Sequence, residues 1–595
     1  MKEYGFVRVA AAVPEVHVGQ PDENAIEIIR LTKEAVSEGV QVICFPELCL
    51  TGCTIGDLVG NRYLMNGVSQ ATDRIMAECG NDDIIIALDL PVEESGIIYD
   101  ACIIIYKGCI IGRNIRRGPS DCRNFAQASP KGTFAVSAGK VTISVLPPDE
   151  VRMPVADIIL CPAGYAEIPG RKAELQQMAM QRSSDLKAAV VIASAGHGES
   201  TTDALYAGHA LIAENGIMIS ESHGTQGLLI SDIDTELLHK SRRDSRIRSH
   251  YDTDNVLYAD MVMPAFTAEN LRREVSPTPF MSSEDVFSET FGIQTLGLVT
   301  RLEHTGIRKL VIGISGGLDS TLALLVCANA ADRMGICRKD ITGITMPGFG
   351  TTDRTYTNAV GMMKALGIDW REISIKEAAL LHLRDIGHDI DVHDSAYENT
   401  QARERTQILM DVANEIGALV VGTGDLSELA LGWCTYNGDH MSMYAVNASV
   451  PKTLIPGIIR HAAVRSQFAA AKANLLDVID TPITPELLPA DDKGNIVQKT
   501  EDIIGPYELH DFFLYHLVRN GFAPDKILML ARIAFCEKYD TGTIQKWLQL
   551  FLKRFFNNQF KRSCMPDGPC CGLVSLSPRG GWQMPSDMSY WKISL

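Results

Sequence analysis

The chain has 595 residues, more than one hydrophobic core accommodates, so two or three domains are expected. Its 46% hydrophobic and 22% charged content is that of a globular enzyme, and its net charge of −18 argues against nucleic-acid binding as its main business, because phosphate contacts need clustered Lys and Arg. The one basic cluster, HKSRRDSRIRSH from His239, is broken by Asp244 and three serines and reads as a solvated loop or helix face. Fifteen scattered cysteines, an N-terminus without an apolar leader core and the lack of any apolar run near about 18 residues predict reduced thiols in the cytoplasm. Cys44, Cys49 and Cys53 are close in sequence, as are Cys564, Cys570 and Cys571, but no paired C-x-x-C or spaced His accompanies them, so a zinc site is not expected.

In chain order, FVRVAAAV reads as a buried strand and NAIEIIRLTKEAVSEG as a helix ending at Gly39. VQVICFPE is the next strand, then a helical stretch and DIIIALDLPV follow. YDACIIIYKGCIIGRN predicts a hairpin turning at Lys107–Gly108. KVTISVLPPDE gives a short strand, Val141 to Leu146, stopped by Pro147 and Pro148, and ADIILCPAGY gives another at once. AAVVIASAGHG and HALIAENGIMISES continue the alternation, which is that of an α/β layered domain with buried strands. From about Pro264 to Thr290 Pro and Ser replace the strand pattern, which predicts an interdomain connection. The expected division is therefore 1–264, a linker over 265–290, and a second α/β domain over 291–595.

SGGLDS, Ser315 to Ser320, carries the most chemistry of any hexapeptide here. It lies between the strand KLVIGI and a helix expected to begin near Ser320. Gly313, Gly316 and Gly317 allow close backbone approach, and a helix N-terminus offers free N–H groups to a phosphate. Ser315 and Ser320 add hydroxyl donors, and Asp319 is a candidate magnesium ligand. A Walker P-loop would need a lysine that is absent.

S-G-G-x-D-S resembles the loop of the ATP pyrophosphatases, which attack ATP at the α-phosphate. The run from ENTQARERTQ to SVPKTLI, with the tail QFKRSCMPDGPCCG, resembles the NAD synthetase family, specifically its two-domain, glutamine-using branch. The resemblance implies a Rossmann-like ATP-pyrophosphatase domain that adenylates deamido-NAD+ with ATP and Mg2+ and lets ammonia displace AMP, releasing pyrophosphate. It also implies roles for particular residues. Thr423 would contact ATP, and Glu428 would join Asp319 as a magnesium ligand. Lys452 and Lys561 would be cations for phosphate or substrate. Asn399, Arg403, Trp433, Cys434, Thr435, Tyr436 and Asp439 match the deamido-NAD+ region, with Cys434 read as a bystander. A homo-oligomer is implied, a dimer through the synthetase domains and possibly an octamer.

The first half resembles the nitrilase-like amidase domain of that branch, an α-β-β-α sandwich in which a cysteine nucleophile, a glutamate base and a lysine hydrolyse glutamine. Glu47 in CFPELCLTGC matches the base. The lysine's position falls on or near Arg116, and the nucleophile's on Leu146. Tyr165 stands where a glutamine-binding serine is expected, while Arg171 is retained. These departures predict a pseudo-glutaminase domain and free ammonia as the nitrogen source. The alternatives are the same ligase still fed by glutamine, with Cys122 or Cys161 as an unconventional nucleophile, a chain that has lost catalysis and binds nucleotide as a scaffold, and a tRNA-thiolating ATP pyrophosphatase.

Overall fold

The protein is described from a computed structural model covering all residues except 1–3, 116–124, 127–133, 139–140, 147–155, 246–256, 262–270, 282, 351–352, 482–499 and 591–595. It divides into two compact units, Met1–Glu274 and Val275–Leu595. The second unit's first helix, Val286–Thr305, begins inside the stretch expected to be a linker.

Unit 1 is a four-layer sandwich. Its first sheet orders the strands Gly227–Asp234, Phe6–Val13, Val42–Cys44, Ile85–Glu94, Ile97–Tyr106 and Cys109–Ile115. The second orders Ile217–His223, His209–Glu214, Ala189–Ser194, Ile158–Ala163, Val141–Val145, Phe134–Ala138 and Leu257–Met261. Strand FVRVAAAV shows why its sequence lacks polar alternation. Val7, Val9, Ala11 and Val13 face the core between the sheets, while Ala10 and Ala12 face the helices Pro21–Ser37 and Arg62–Glu78. Its one charge, Arg8, pairs at 2.7 Å with Asp232, its register partner on the neighbouring strand. On the outer face of the second sheet the helix Arg171–Leu186 covers a third apolar cluster. The predicted hairpin turns at Lys107 and Gly108, both with positive φ, and Gly39 follows the first helix at φ +72°.

Unit 2 holds a five-stranded sheet, parallel throughout, ordered Asp369–Glu372, Ile341–Thr345, Leu310–Gly313, Leu419–Gly422 and Tyr444–Ala445. In chain order this is 3-2-1-4-5, the doubly wound pattern. The strand order reverses between Leu310–Gly313 and Leu419–Gly422, and the crevice beyond their carboxyl ends is where such folds bind ligands. Helices of the C-terminal region pack an aromatic core: His510, on the helix Tyr507–Leu514, lies 6.0 Å from Phe551 and 6.2 Å from Phe513, ring centre to ring centre. Among the described residues no helix is long and apolar enough to cross a membrane, and the described cysteines are free thiols.

Burial depresses the His510 imidazole to about 4, and its Nε2 lies 2.6 Å from the Ile504 carbonyl oxygen. An imidazole depressed in the fold destabilises it in acid, because below its ordinary value of 6.5 the unfolded chain takes up a proton that the folded one refuses. Between pH 6.5 and 4 this site alone should remove about 3 kcal/mol. His510→Gln, which keeps a donor and does not titrate, should flatten that loss in urea denaturation at pH 7 and 4.5. Equal losses in variant and parent would rule the site out.

Candidate active site

Two loops meet at the sheet's switch point. The first leaves the Leu310–Gly313 strand through Ser315, Gly316 and Gly317 into the helix Leu318–Met334, which starts two residues earlier than expected. Gly316 sits at φ +90°, and a Cβ there would lie 2.0 Å from the Thr355 carbonyl oxygen, so no other residue fits. The Ser315 hydroxyl accepts from the Gly317 N–H at 3.2 Å and lies 3.2 Å from the Ser320 hydroxyl. The second loop leaves the Leu419–Gly422 strand through Thr423 and Gly424 to Asp425, which caps the short helix Leu426–Leu431 by accepting from the Glu428 N–H at 2.8 Å. Asn447 ties the loops together, donating to the carbonyls of Asp319 and Thr423, both at 2.9 Å.

Between the loops Lys452 is buried, with Nζ 2.7 Å from Asp319, 2.6 Å from Asp425 and 2.9 Å from Glu428. The Tyr507 ring lies 5.1 Å from the same nitrogen. Burial pushes the Glu428 carboxyl up to about 7 against the pull of Lys452, and raises Asp425 as well. Burial works against the Lys452 charge too, but the three carboxylates outweigh it and hold the ammonium well above its ordinary value. Ligand oxygens of the three acids lie within 4.8 Å of one another, and Asp319 Oδ1 is buried with no hydrogen-bond partner among the described residues. An all-carboxylate oxygen set of this kind fits a hard cation such as Mg2+.

The loops open on a cavity of about 550 Å³ whose lining includes Gly313, Ser315, Gly317, Asp319, Ser320, Thr423, Glu428 and Lys452. Asn399, Trp433, Cys434, Thr435, Asp439 and Lys561 line it too, and the Trp433 N–H donates to the Glu428 carbonyl at 2.9 Å. Asp439 accepts from the Thr435 N–H at 2.6 Å, and the Thr435 hydroxyl donates to Asn399 at 2.7 Å. Lys561 spends its ammonium on the carbonyls of Gly432 and Cys434, at 2.8 and 2.7 Å, and so holds the Trp433 loop. The Arg554 guanidinium stands 5.1 Å from the Trp433 ring. Burial raises the Cys434 thiol far out of the nucleophilic range, in keeping with a bystander.

In unit 1, Glu47 follows the Val42–Cys44 strand and its N–H donates to the Ala163 carbonyl at 3.3 Å. Cys53 donates its thiol hydrogen to the Glu47 carbonyl at 2.9 Å. A Cβ on Gly164 would lie 2.6 Å from Cys53 Sγ and 3.0 Å from Glu47 Oε2, so the thiol and the carboxylate share one small pocket against that glycine. Glu199 fixes the adjoining turn by accepting from the N–H groups of Cys53 and Thr54 and from the Thr54 hydroxyl. Leu146 points into the apolar layer beneath the helix Arg171–Leu186, clustered with Ala163, Leu175 and Ala179, and is 3% exposed. Tyr165 packs against that layer, with Arg171 5.2 Å from its ring. Cys161 is fully buried in the same layer, where no amide could reach its sulfur, so the expectation that it might replace the nucleophile fails on access. Arg116 and Cys122 lie outside the described residues.

A carbon-nitrogen hydrolase family model matches residues 8–124, and an NAD synthase model matches residues 293–472. A glutamine-dependent NAD(+) synthetase of Mycobacterium leprae is 36% identical, the match covering 98% of this chain and 96% of the relative. One from Mycobacterium tuberculosis H37Rv is 35% identical over 99% and 97%, and one from Aquifex aeolicus 25% identical over 97% and 98%. The chain belongs to the glutamine-dependent NAD(+) synthetases.

Within this synthetase fold most of the expected site residues converge on one cavity, but three stand apart. Gly316 packs under the loop against Thr355. Arg403 is exposed and donates to the Tyr436 carbonyl at 3.4 Å, and Tyr436 is 43% exposed. The reason for Arg403 is helical phase. Ser395, Glu398, Asn399, Ala402, Arg405, Thr406 and Leu409 form the cavity-facing stripe of the helix Ser395–Ile416, and Arg403 falls off it while Arg405 lies on it. Asp425, Tyr507 and Arg554 were not expected at the site; an Asp two residues after Thr423 and before a helical run was a readable N-cap signal, but nothing local tied it to Lys452.

Beneath the cage, Asp511 accepts from the Ser427 hydroxyl and from the Thr453 N–H and hydroxyl, and burial raises it to about 6. The Ser427 oxygen also accepts from the Lys452 N–H at 2.8 Å. Asp511→Ala leaves these buried donors without their acceptor and should cost roughly 2–4 kcal/mol in urea denaturation. Asp511→Asn, which keeps one acceptor oxygen, should recover part of the loss. An Asp511→Ala protein as stable as the parent would overturn this assignment.

Proposed function

We propose that this chain makes NAD+ by ATP-dependent amidation of deamido-NAD+, releasing AMP and pyrophosphate. The observation that carries the reading is the buried Lys452 clasped by Asp319, Asp425 and Glu428 beside a glycine-rich strand–helix loop, in a cavity that Trp433 also lines. The amino end of the Leu318–Met334 helix and the hydroxyls of Ser315 and Ser320 suit the phosphates of ATP. Asp319 and Glu428 would hold magnesium, which supplies positive charge to the phosphates as the α–β bond breaks. Lys452 neutralises charge on the departing pyrophosphate, and its burial keeps water from weakening that contact. Trp433 offers a ring face to the pyridine, with Asn399, Thr435 and Asp439 as polar neighbours. Lys561 acts through the loop it braces. The carboxylate oxygen becomes the phosphate-activated leaving oxygen, and ammonia takes its place.

Family membership supports glutamine as the nitrogen donor, against the free ammonia expected from the sequence. A second reading, a unit 1 without cysteine chemistry, rests on Leu146. Its side chain is apolar, buried and built into the helix–sheet layer, and the carbon-nitrogen hydrolase match ends at residue 124, before this strand begins. Purified protein with ATP, Mg2+ and deamido-NAD+ is given ammonium or glutamine and NAD+ is measured. Formation from either donor supports the first reading; formation from ammonium alone supports the second; formation from neither overturns the proposal. Leu146→Cys by itself should leave the glutamine-driven rate unchanged, because the new thiol would lie under the Arg171–Leu186 helix. A tenfold gain would show that the position still faces the amide.

A further inference from the structure

The three carboxylates that fit a divalent cation already enclose a cation of the chain's own. Lys452 Nζ lies within hydrogen-bond distance of all three, and their ligand oxygens span only 4.8 Å. A magnesium ion sits about 2.0–2.1 Å from its oxygen ligands. An ion bound to the same Asp319 and Glu428 oxygens that hold Lys452 would need the space the ammonium fills, and two positive centres at that distance repel strongly. We propose that Lys452 is a tethered stand-in for the divalent cation. In the free protein its ammonium neutralises the cage, and metal arriving with the nucleotide displaces it from Asp319 and Glu428 toward the phosphates.

The supporting structure suits a side chain that moves on a fixed backbone. The Lys452 N–H is held by Ser427, and the next residue is held twice by Asp511, so the main chain stays in place. The four-carbon stem is flexible and its head is a compact charge, unlike the planar fork of arginine. Asp425 is placed to remain as the anchor. It is fully buried at the back of the cage, one oxygen caps the Leu426–Leu431 helix and the other faces Lys452. Asp319 Oδ1, buried without a hydrogen-bond partner among the described residues, is an oxygen the ammonium leaves unused.

The proposal rests on reading this cage as the magnesium–nucleotide site, and its test uses no substrate. Free Mn2+ is measured by electron paramagnetic resonance during titration of the whole chain without nucleotide. The parent should bind Mn2+ weakly, and Lys452→Met at least tenfold more tightly, because the position is vacated. Lys452→Met with Asp425→Asn removes one charge of each sign, so the net charge of the cage matches the parent's. It should still bind at least fivefold more tightly, and it decides the matter if the single variant fails to fold by circular dichroism. No gain in either protein, or a gain in the single variant that vanishes in the double, overturns the stand-in. Such a failure would leave the synthetase reading intact, since NAD+ formation is a separate measurement.

Discussion

Burying an ammonium among three carboxylates is the arrangement on which the synthetase unit turns. Each charge loses its hydration, and attraction in a dry interior repays that loss only where geometry and further hydrogen bonds are good. The surroundings of Lys452 follow from this demand. Asp425 gives one oxygen to a helix cap and one to the lysine, Ser427 takes the lysine's N–H, and Asp511 gathers Ser427 and Thr453. Removing any one member leaves a buried group unpaired, which costs more than the bond itself contributes. The network therefore specifies where the Lys452 loop lies, and the loop in turn fixes one wall of the cavity.

The sheet explains why these residues, far apart in the chain, can meet. Parallel strands deliver all their carboxyl ends to one edge, and reversal of strand order between Leu310–Gly313 and Leu419–Gly422 opens a crevice there. Asp319 comes from the helix after the first of these strands, and Asp425 and Glu428 from the N-cap and first turn of the helix after the second. Asn447 then bonds both loops, with its own oxygen held by Gln294 at 2.9 Å. The two loops are thus joined both by neutral hydrogen bonds through Asn447 and by the ion cluster around Lys452.

How much of this was legible in the sequence depended on whether the signal was local. Strand FVRVAAAV, the Lys107–Gly108 turn and the Gly39 helix end are encoded within a few residues, and each is where its pattern puts it. SGGLDS was legible for the same reason, because a glycine turn between strand and helix dictates its own geometry. Asp425 was not, since its partner is Lys452 and no spacing rule links them. Arg403 and Arg405 show a finer limit. Both sit in one polar run, and only the rotation of a helix against its sheet decides which arginine reaches the cavity. The strand Tyr444–Ala445 has two residues and too short a pattern to be read at all.

Unit 1 shows what its fold requires and what it does not. A nitrilase-like sandwich is held by the apolar layers between and outside its sheets, and Leu146 contributes to one of those layers. A leucine there buries more apolar surface than a thiol would, so replacing a nucleophile by leucine can strengthen the fold while ending covalent chemistry. Glu47 is in a different position. Burial and the neighbouring charge of Glu47 both push the Cys53 thiol up, so it stays protonated beside the carboxylate. The Glu47 carboxylate and the Cys53 thiol thus form a polar pocket against Gly164, whereas Leu146 belongs to an apolar layer that holds the fold.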